Sequence, residues 1–518
     1  MIKPPIPHCL VLSPGDNVGV IINAMGEKGK TIAIKGGFRG NLVLRKDIPA
    51  GHKVALNKIG KNSPVIKGGE SIGLAKKTIS PGEHVHIHNV TCEGAIKCAR
   101  SKARTGTAKN PRLAGRSYSR FFKGFIRKDG RAGTRNYIVV LSSVNCSASV
   151  AEGIAAHFRK KDTSGKGIDA VIPVTHDYGC AQPAGSAETE VLKKTLSGWL
   201  DHPNVVAAIC VGLGCEVLSP SLITGKLRKT SHNKKFLNNF SVQDARGMRK
   251  SISLGVDMVK RIIKELPLFK RRKLPVSLLT LALNCGGSDG FSILTANPAL
   301  GVASDILIRN GGTSVLAEIP ECYGAESMLL KRCTSLNDRN RLKRIFSRWD
   351  NRIKKGNLSM NDNISSGNVS GGLSNILEKS LGAVSKCGTS KISQVVECAE
   401  RVTKKGLVVM DTPGYDPMSI TALAAGGCNL VAFTTGRGSI YNCPIAPTVK
   451  IASNSGIYRR LKDDIDLDAG KILSGNTVEE SGREIYEFLV RVASGTRTKG
   501  EAYETKGAFV PWYRGEVL

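Results

Sequence analysis

Three histidines in alternation open the chemical reading of this 518-residue chain. The run Gly82-Glu83-His84-Val85-His86-Ile87-His88-Asn89 reads as a strand, where the side-chain period of two puts His84, His86 and His88 on one face and Val85 and Ile87 on the other. Imidazoles so spaced can share a zinc, iron, copper or nickel ion, or contact an anionic ligand; an exposed polar strand face would look the same. Cysteines form a second set. Cys146, Cys180, Cys215 and Cys285 each follow an apolar run by a few residues. Thiolates there can hold iron as a single ion or a cluster, and a cysteine packed beside small glycines is the plainer alternative. No C-x-x-C pair occurs among them, so a ribbon-type zinc site is not indicated. His176, Glu216, Asp289, Glu318 and Asp411 also follow apolar runs and offer acid–base groups for abstracting a proton beside a carboxylate, or else act as caps and turn residues. The turn Thr435-Gly436-Arg437-Gly438, with Lys379 and Lys450 as further cations, can present a planar guanidinium fork to a substrate carboxylate or leave it solvated.

These groups need elements to position them. Over the first ninety residues, short apolar runs (18–22, 31–34, 42–44, 54–56, 85–90) are punctuated by Gly, Pro, Asn and Asp, the pattern of a small β domain. An I-x-x-G turn leading into a strand occurs twice, at Ile48-Pro-Ala-Gly-His-Lys-Val and Ile79-Ser-Pro-Gly-Glu-His-Val. Residues 92–123 are basic, poor in apolar periodicity and broken by Gly106, Pro111 and Gly115, and read as a linker. From Gly124 apolar runs alternate with helical patterns, as in parallel sheets covered on both faces. Met248–Leu266 is a clear helix, with Ile252, Val256, Val259, Ile263 and Leu266 on one stripe. The expected divisions are 1–91, 92–123, 124–395 and 396–518. In open α/β sheets ligands bind at the carboxyl ends of strands, where these reactive residues recur strand after strand.

Composition narrows the classes. The formal net charge is +34, of which residues 97–135 and 226–272 supply +23. Such a surplus attracts polyanions, but aromatic residues are only 5% and none interleave with Arg, which argues against nucleic acid as the partner. No apolar run reaches the roughly 18 residues of a membrane span. The opening MIKPPIPHCL lacks the apolar stretch of a secretory signal, and fourteen scattered cysteines read as thiols of a reducing cytoplasm, the expected compartment.

Nine segments then carry a specific resemblance: GHKVAL (51–56), GEHVHIHN (82–89), GRAGTRNYIVVLSSVNC (130–146), HDYGC (176–180), VGLGCE (211–216), NCGGSDGFSILTANPALGVASD (284–305), ILEKSLGA (376–383), DTPGYDP (411–417) and FTTGRG (433–438). In this order they resemble the altronate/galactarate dehydratase family of sugar-acid hydro-lyases. The resemblance implies an N-terminal β-clip domain of the SAF type and a large α/β catalytic region. It also implies a homo-oligomer that dehydrates a sugar acid, most simply D-altronate, to a 2-keto-3-deoxy product. The implied metal is Fe2+, with Mn2+ or another divalent ion, or an iron–sulfur cluster, left open. The expected metal ligands are His86, His88, Cys146, Cys180, Cys215 and Cys285. His176, Glu216 and Asp289 are expected to move protons, and Arg437, Asn297 and Lys379 to bind substrate. Galactarate dehydration, a sulfolactate sulfo-lyase-like reaction and a non-catalytic polyanion binder are the competing readings. One stretch departs from the family pattern N-P-S-P-G-N-K-x-G-G-L: residues 362–373 read DNISSGNVSGGL, with Val369 where the lysine is expected.

Overall fold

The computed structural model describes residues 8–93, 118–159, 164–503 and 507–512; most of the expected linker, residues 94–117, lies outside them. The N-terminal domain is all β: β1 (His8–Val11), β2 (Val18–Ile22), β3 (Thr31–Gly36), β4 (Gly40–Val43), β5 (Lys53–Ala55), β6 (Pro64–Lys67), β7 (Glu70–Ala75), β8 (His84–Val85) and β9 (Val90–Thr91). Six strands pair in the order β4-β3-β1-β2-β5-β8 and three in the order β6-β7-β9. The expected run 85–90 is split. Asn89 accepts from the His86 N–H (2.9 Å) and donates to the His84 carbonyl (2.9 Å), so the chain turns over 86–89 instead of continuing as strand.

Next come β10 (Phe121–Ile126), β11 (Ala132–Gly133), β12 (Tyr137–Ser142), β13 (Ala170–Val174), β14 (Val205–Gly212) and β15 (Leu237–Ser241), of which the last four form a parallel sheet ordered β13-β12-β14-β15. Every position of β14 is buried, as a strand covered on both faces requires. The predicted basic helix spans Met248–Glu265 and buries Val256, Val259 and Ile262. β16 (Arg272–Pro275) returns to pair with β10. The rest of the chain builds a seven-stranded parallel sheet, β19-β20-β18-β17-β21-β22-β23, from β17 (Thr280–Cys285), β18 (Thr313–Leu316), β19 (Ile392–Val396), β20 (Gly406–Met410), β21 (Leu430–Thr435), β22 (Thr448–Ala452) and β23 (Leu467–Asp468). The expected division at 395/396 falls inside strand β19, which pairs with β20 in this same sheet. β20 follows β19 with no helix between them, and the sequence marks no boundary there; only pairing assigns strands to a sheet. The α/β class with a separate N-terminal β domain is therefore the observed architecture. No helix among the described residues is long and apolar enough to cross a membrane.

The two parallel sheets share one apolar core, in which Trp199 of helix Ala187–Leu200 packs near helix Asp416–Ala425 and donates its indole N–H to the Thr421 carbonyl (2.9 Å). The β domain docks on the larger sheet through Val20 and Ile22 against Phe291 and Leu294. His202 links the two sheets. Its Nδ1 accepts from the Asn204 N–H (3.0 Å), so its Nε2 donates to the Cys428 carbonyl (2.9 Å). Burial lowers its pKa to about 3. The unfolded chain, with an ordinary histidine near 6.5, takes up this proton first, so stability is full above about pH 6.5 and declines as pH falls toward 3. The expected loss from this group is about 2 kcal/mol at pH 5. Urea midpoints at pH 7 and 5 check this: His202→Gln should lose less stability than wild type between the two, and equal losses would contradict it.

Candidate metal centre and active site

β5 and β8 pair antiparallel with Lys53 opposite Val85 and Val54 opposite His84, which carries His52, just before β5, alongside His84 and His86. The ring centroids are 4.8–5.3 Å apart, and one nitrogen from each of His52, His84 and His86 lies within 4.8 Å of the others. His52 Nε2 faces the Ser370 carbonyl at 3.2 Å, so the proton sits there and Nδ1 keeps its lone pair, 3.1 Å from His84 Nε2. Burial, then mutual repulsion, lowers the His84 pKa to about 3; burial and Lys53 lower that of His86 to about 4. Three neutral imidazoles, one with its tautomer set by a backbone carbonyl, are the donor set a divalent transition metal requires. His88 is exposed within the turn, its ring 5.3 Å from that of His84, and stands outside this group of nitrogens. The period-two expectation held only as far as Val85. His52 was the histidine missed; its signal was the repeated I-x-x-G turn, which introduces both histidine-bearing strands.

The triad rests on a buried ion-pair network. Glu378, on helix Ile376–Ser385, takes Lys53 Nζ at 2.8 Å and Lys67 Nζ at 2.7 Å, and Lys53 also donates to the Gly372 carbonyl (2.7 Å). Burial alone would raise the Glu378 pKa; the two ammonium groups overcome it and hold it at about 2. Three turns cross here. Gly290 N–H donates to the Gly371 carbonyl (2.8 Å), and a Cβ on Gly290 or Gly372 would lie 2.0 or 2.3 Å from the Gly51 carbonyl oxygen. The loop that departs from the family pattern is thus part of the site: Asn368 donates to the Ser288 carbonyl (2.8 Å), and Val369, partly buried, precedes the residue that holds His52.

Asp289 is buried in the same junction. Its Oδ1 accepts from Phe291 N, Ser292 N, Ser292 Oγ and Ser453 Oγ, and its Oδ2 from Asn454 Nδ2. Burial raises its pKa against these bonds. So saturated, it fixes the turn. Arg437 is exposed, with its Cβ 3.1 Å from where a Cβ on Gly287 would be, so it overlooks this turn. Asn297 is spent on structure, donating to the Gly382 carbonyl (3.0 Å) and accepting from Thr434 Oγ1 (2.6 Å).

Beneath the turn lies a second polar cluster. Cys285, Glu318 and Glu321 bring ligand atoms within 4.8 Å of one another. However, Lys386 Nζ pairs with Glu318 and sits 2.9 Å from Cys285 Sγ, and Lys379 pairs with Glu321 at 2.8 Å. Ammonium groups already occupy the cationic role, so Cys285 and Lys379 belong to a charge-compensated network. Glu318 Oε1 and both polar atoms of the Asn284 side chain are buried without a partner among the described residues. Burial, reinforced by Glu318 and Glu321, pushes the Asp416 carboxyl well above the carboxylate range. A Cβ on Gly286 would lie 2.4 Å from the Asp416 carboxylate.

All but one of the remaining candidates lie at the strand ends of the smaller parallel sheet, the exception being Asp411 after β20 of the larger one. His176 Nδ1 accepts from the Tyr178 N–H (3.1 Å) and its Nε2 donates to the Ser142 carbonyl (3.1 Å), so both nitrogens brace the turn and neither is open to a substrate proton. Glu216 accepts from Ser143 Oγ (2.8 Å) and the Gly214 N–H (2.7 Å). Cys146, Cys180 and Cys215 are exposed along the same edge. Asp411 is held by Trp349 Nε1 (2.8 Å) and Arg348 (2.7 Å).

Comparison with known proteins fits the whole chain. Residues 7–93 match the Altronate/galactarate dehydratase SAF domain, 124–267 the D-galactarate dehydratase/Altronate hydrolase second domain, and 276–517 the D-galactarate/Altronate dehydratase C-terminal region. The chain is 35% identical to the altronate dehydratase of Bacillus subtilis (strain 168), covering 90% of this chain and 92% of that one. It is 33% identical to the altronate dehydratase of Escherichia coli (strain K12), with 94% and 95% covered. To that organism's galactarate dehydratase (L-threo-forming) it is 34% identical, with 93% and 92% covered. The class is therefore an α/β hydro-lyase with an SAF domain packed on its active region. The chain belongs to the altronate/galactarate dehydratase family, as the motif resemblance implied.

Proposed function

We propose that this sugar-acid dehydratase acts on D-altronate, giving a 2-keto-3-deoxy acid, and that a divalent metal, iron(II) first, is held by His52, His84 and His86. The convergence of three neutral imidazoles at the junction of the SAF domain with the CGGSDG turn carries the reading. Two altronate dehydratases among the relatives support the substrate. When bound, such an ion supplies a Lewis acid for carboxylate and hydroxyl oxygens. The protein does the rest. Arg437 presents its fork to the substrate carboxylate. Asp416, whose carboxyl is shifted toward its protonated form by burial and by Glu318 and Glu321, donates a proton to the departing hydroxyl, and the unpartnered Glu318 oxygen receives the proton taken from carbon.

Anaerobic kinetics with D-altronate and galactarate, following 2-keto-3-deoxy product, test this. D-altronate is expected to give the higher kcat/KM. Arg437→Ala should raise KM about tenfold or more, the scale of a lost charged hydrogen bond, with Arg437→Lys recovering part of it. A preference for galactarate would overturn the substrate, and an unchanged KM would remove Arg437 from the carboxylate site.

A further inference from the structure

We propose that Cys146, Cys180 and Cys215 form a second metal centre, separate from the histidine triad: a three-thiolate seat for an iron–sulfur cluster. Cysteine is among the residue types most often buried. Of the thirteen cysteines in the described residues only these three are exposed, and all three stand on one edge of one sheet. They follow β13, β12 and β14, which are parallel neighbours in that order, so strand spacing of about 4.8 Å sets their loops side by side.

The loops are tied to one another. Asn145 N–H donates to the Tyr178 carbonyl (2.9 Å), Ser147 Oγ to the Val211 carbonyl (2.8 Å), and Glu216 clamps Ser143 and Gly214. At Gly179 a Cβ would lie 2.6 Å from the Ser143 carbonyl oxygen, so the loop bearing Cys180 seats directly on the one bearing Cys146. Left-handed residues flank two of the cysteines: Gly179 (φ 103°) and Ala181 (φ 54°) around Cys180, and Gly214 (φ 129°) before Cys215. Such turns aim backbone N–H groups into concavities that favour anionic centres, iron–sulfur clusters among them. A cavity of about 390 Å³ lies beside these loops, lined by Ala148, Glu152, His176, Asp177, Tyr178 and Phe509, with none of the three cysteines in its wall. Three thiolates leave one cluster iron without a protein sulfur.

Anaerobic reconstitution of the full chain with Fe(II) and sulfide tests the proposal, read by visible absorption, acid-labile sulfide and the EPR signal after reduction. Wild type should gain about four irons and four sulfides per chain beyond any iron on the histidines. Cys146→Ser, Cys180→Ser and Cys215→Ser should lose the signal, whereas His52→Ala keeps it. Alkylation mapping on wild type, which does not depend on a variant folding, should show these three thiols protected only after reconstitution. No sulfide uptake, a signal that survives the triple serine variant, one zinc ion bound by the same thiols, or a disulfide between two of them would overturn it.

Discussion

Glu378→Ala is expected to destabilise the protein by about 3–5 kcal/mol, the cost of stranding buried charge, and to loosen the SAF domain from the larger sheet. The carboxylate faces two ammonium groups, Lys53 and Lys67, and all three side chains are at most 1% exposed. Removing it leaves two like charges in a desolvated junction with only the Gly372 carbonyl for company. Glu378→Gln keeps the volume and should cost nearly as much, because the charge carries the effect. Urea unfolding with tryptic cleavage in the first ninety residues measures both parts. A loss below about 1 kcal/mol, the scale of an exposed pair, would mean the junction is open to water.

His52→Ala should abolish most activity with little change in global stability. The ring supplies one of three convergent nitrogens and also occupies the Ser370 carbonyl, so its loss removes a donor and frees the loop opposite. Loss of an outer-shell partner typically lowers metal affinity 10- to 100-fold, so loss of a ligand should lower it by more than about 100-fold, with turnover at limiting metal falling in parallel. His88→Ala, at an exposed position of the turn, should change either quantity less than about twofold. Equal effects of the two substitutions, measured by metal titration and by kcat, would contradict the assignment.

Most strands of the parallel sheets were legible as continuous apolar runs leading into turns with Gly, Cys or Asp, and β12, β13, β14, β20 and β21 fall where such runs stand, whereas β15 (LNNFS) is largely polar. β22 escaped notice because buried Lys450 interrupts its apolar run. The site was legible in part. His84 and His86 announced themselves by spacing, but the turn that removes His88 depends on Asn89, whose two bonds to the backbone are tertiary detail. Lys53, Lys67 and Glu378 could not be found from spacing: they lie on three elements up to 325 residues apart and meet only when the SAF domain docks. Asp289 and His176 look like acid–base groups in sequence; their hydrogen-bond saturation shows only when neighbouring strands are in place.

We propose above that the histidine triad holds the metal on which dehydration depends. The most direct measurement is product formation from D-altronate by metal-stripped protein as Fe(II) is titrated in anaerobically, in wild type and in His84→Ala. No turnover is expected without metal, saturation is expected in wild type as the triad fills, and no turnover is expected in His84→Ala over the same range. Full turnover by the stripped enzyme, or an identical titration curve in the variant, would contradict it.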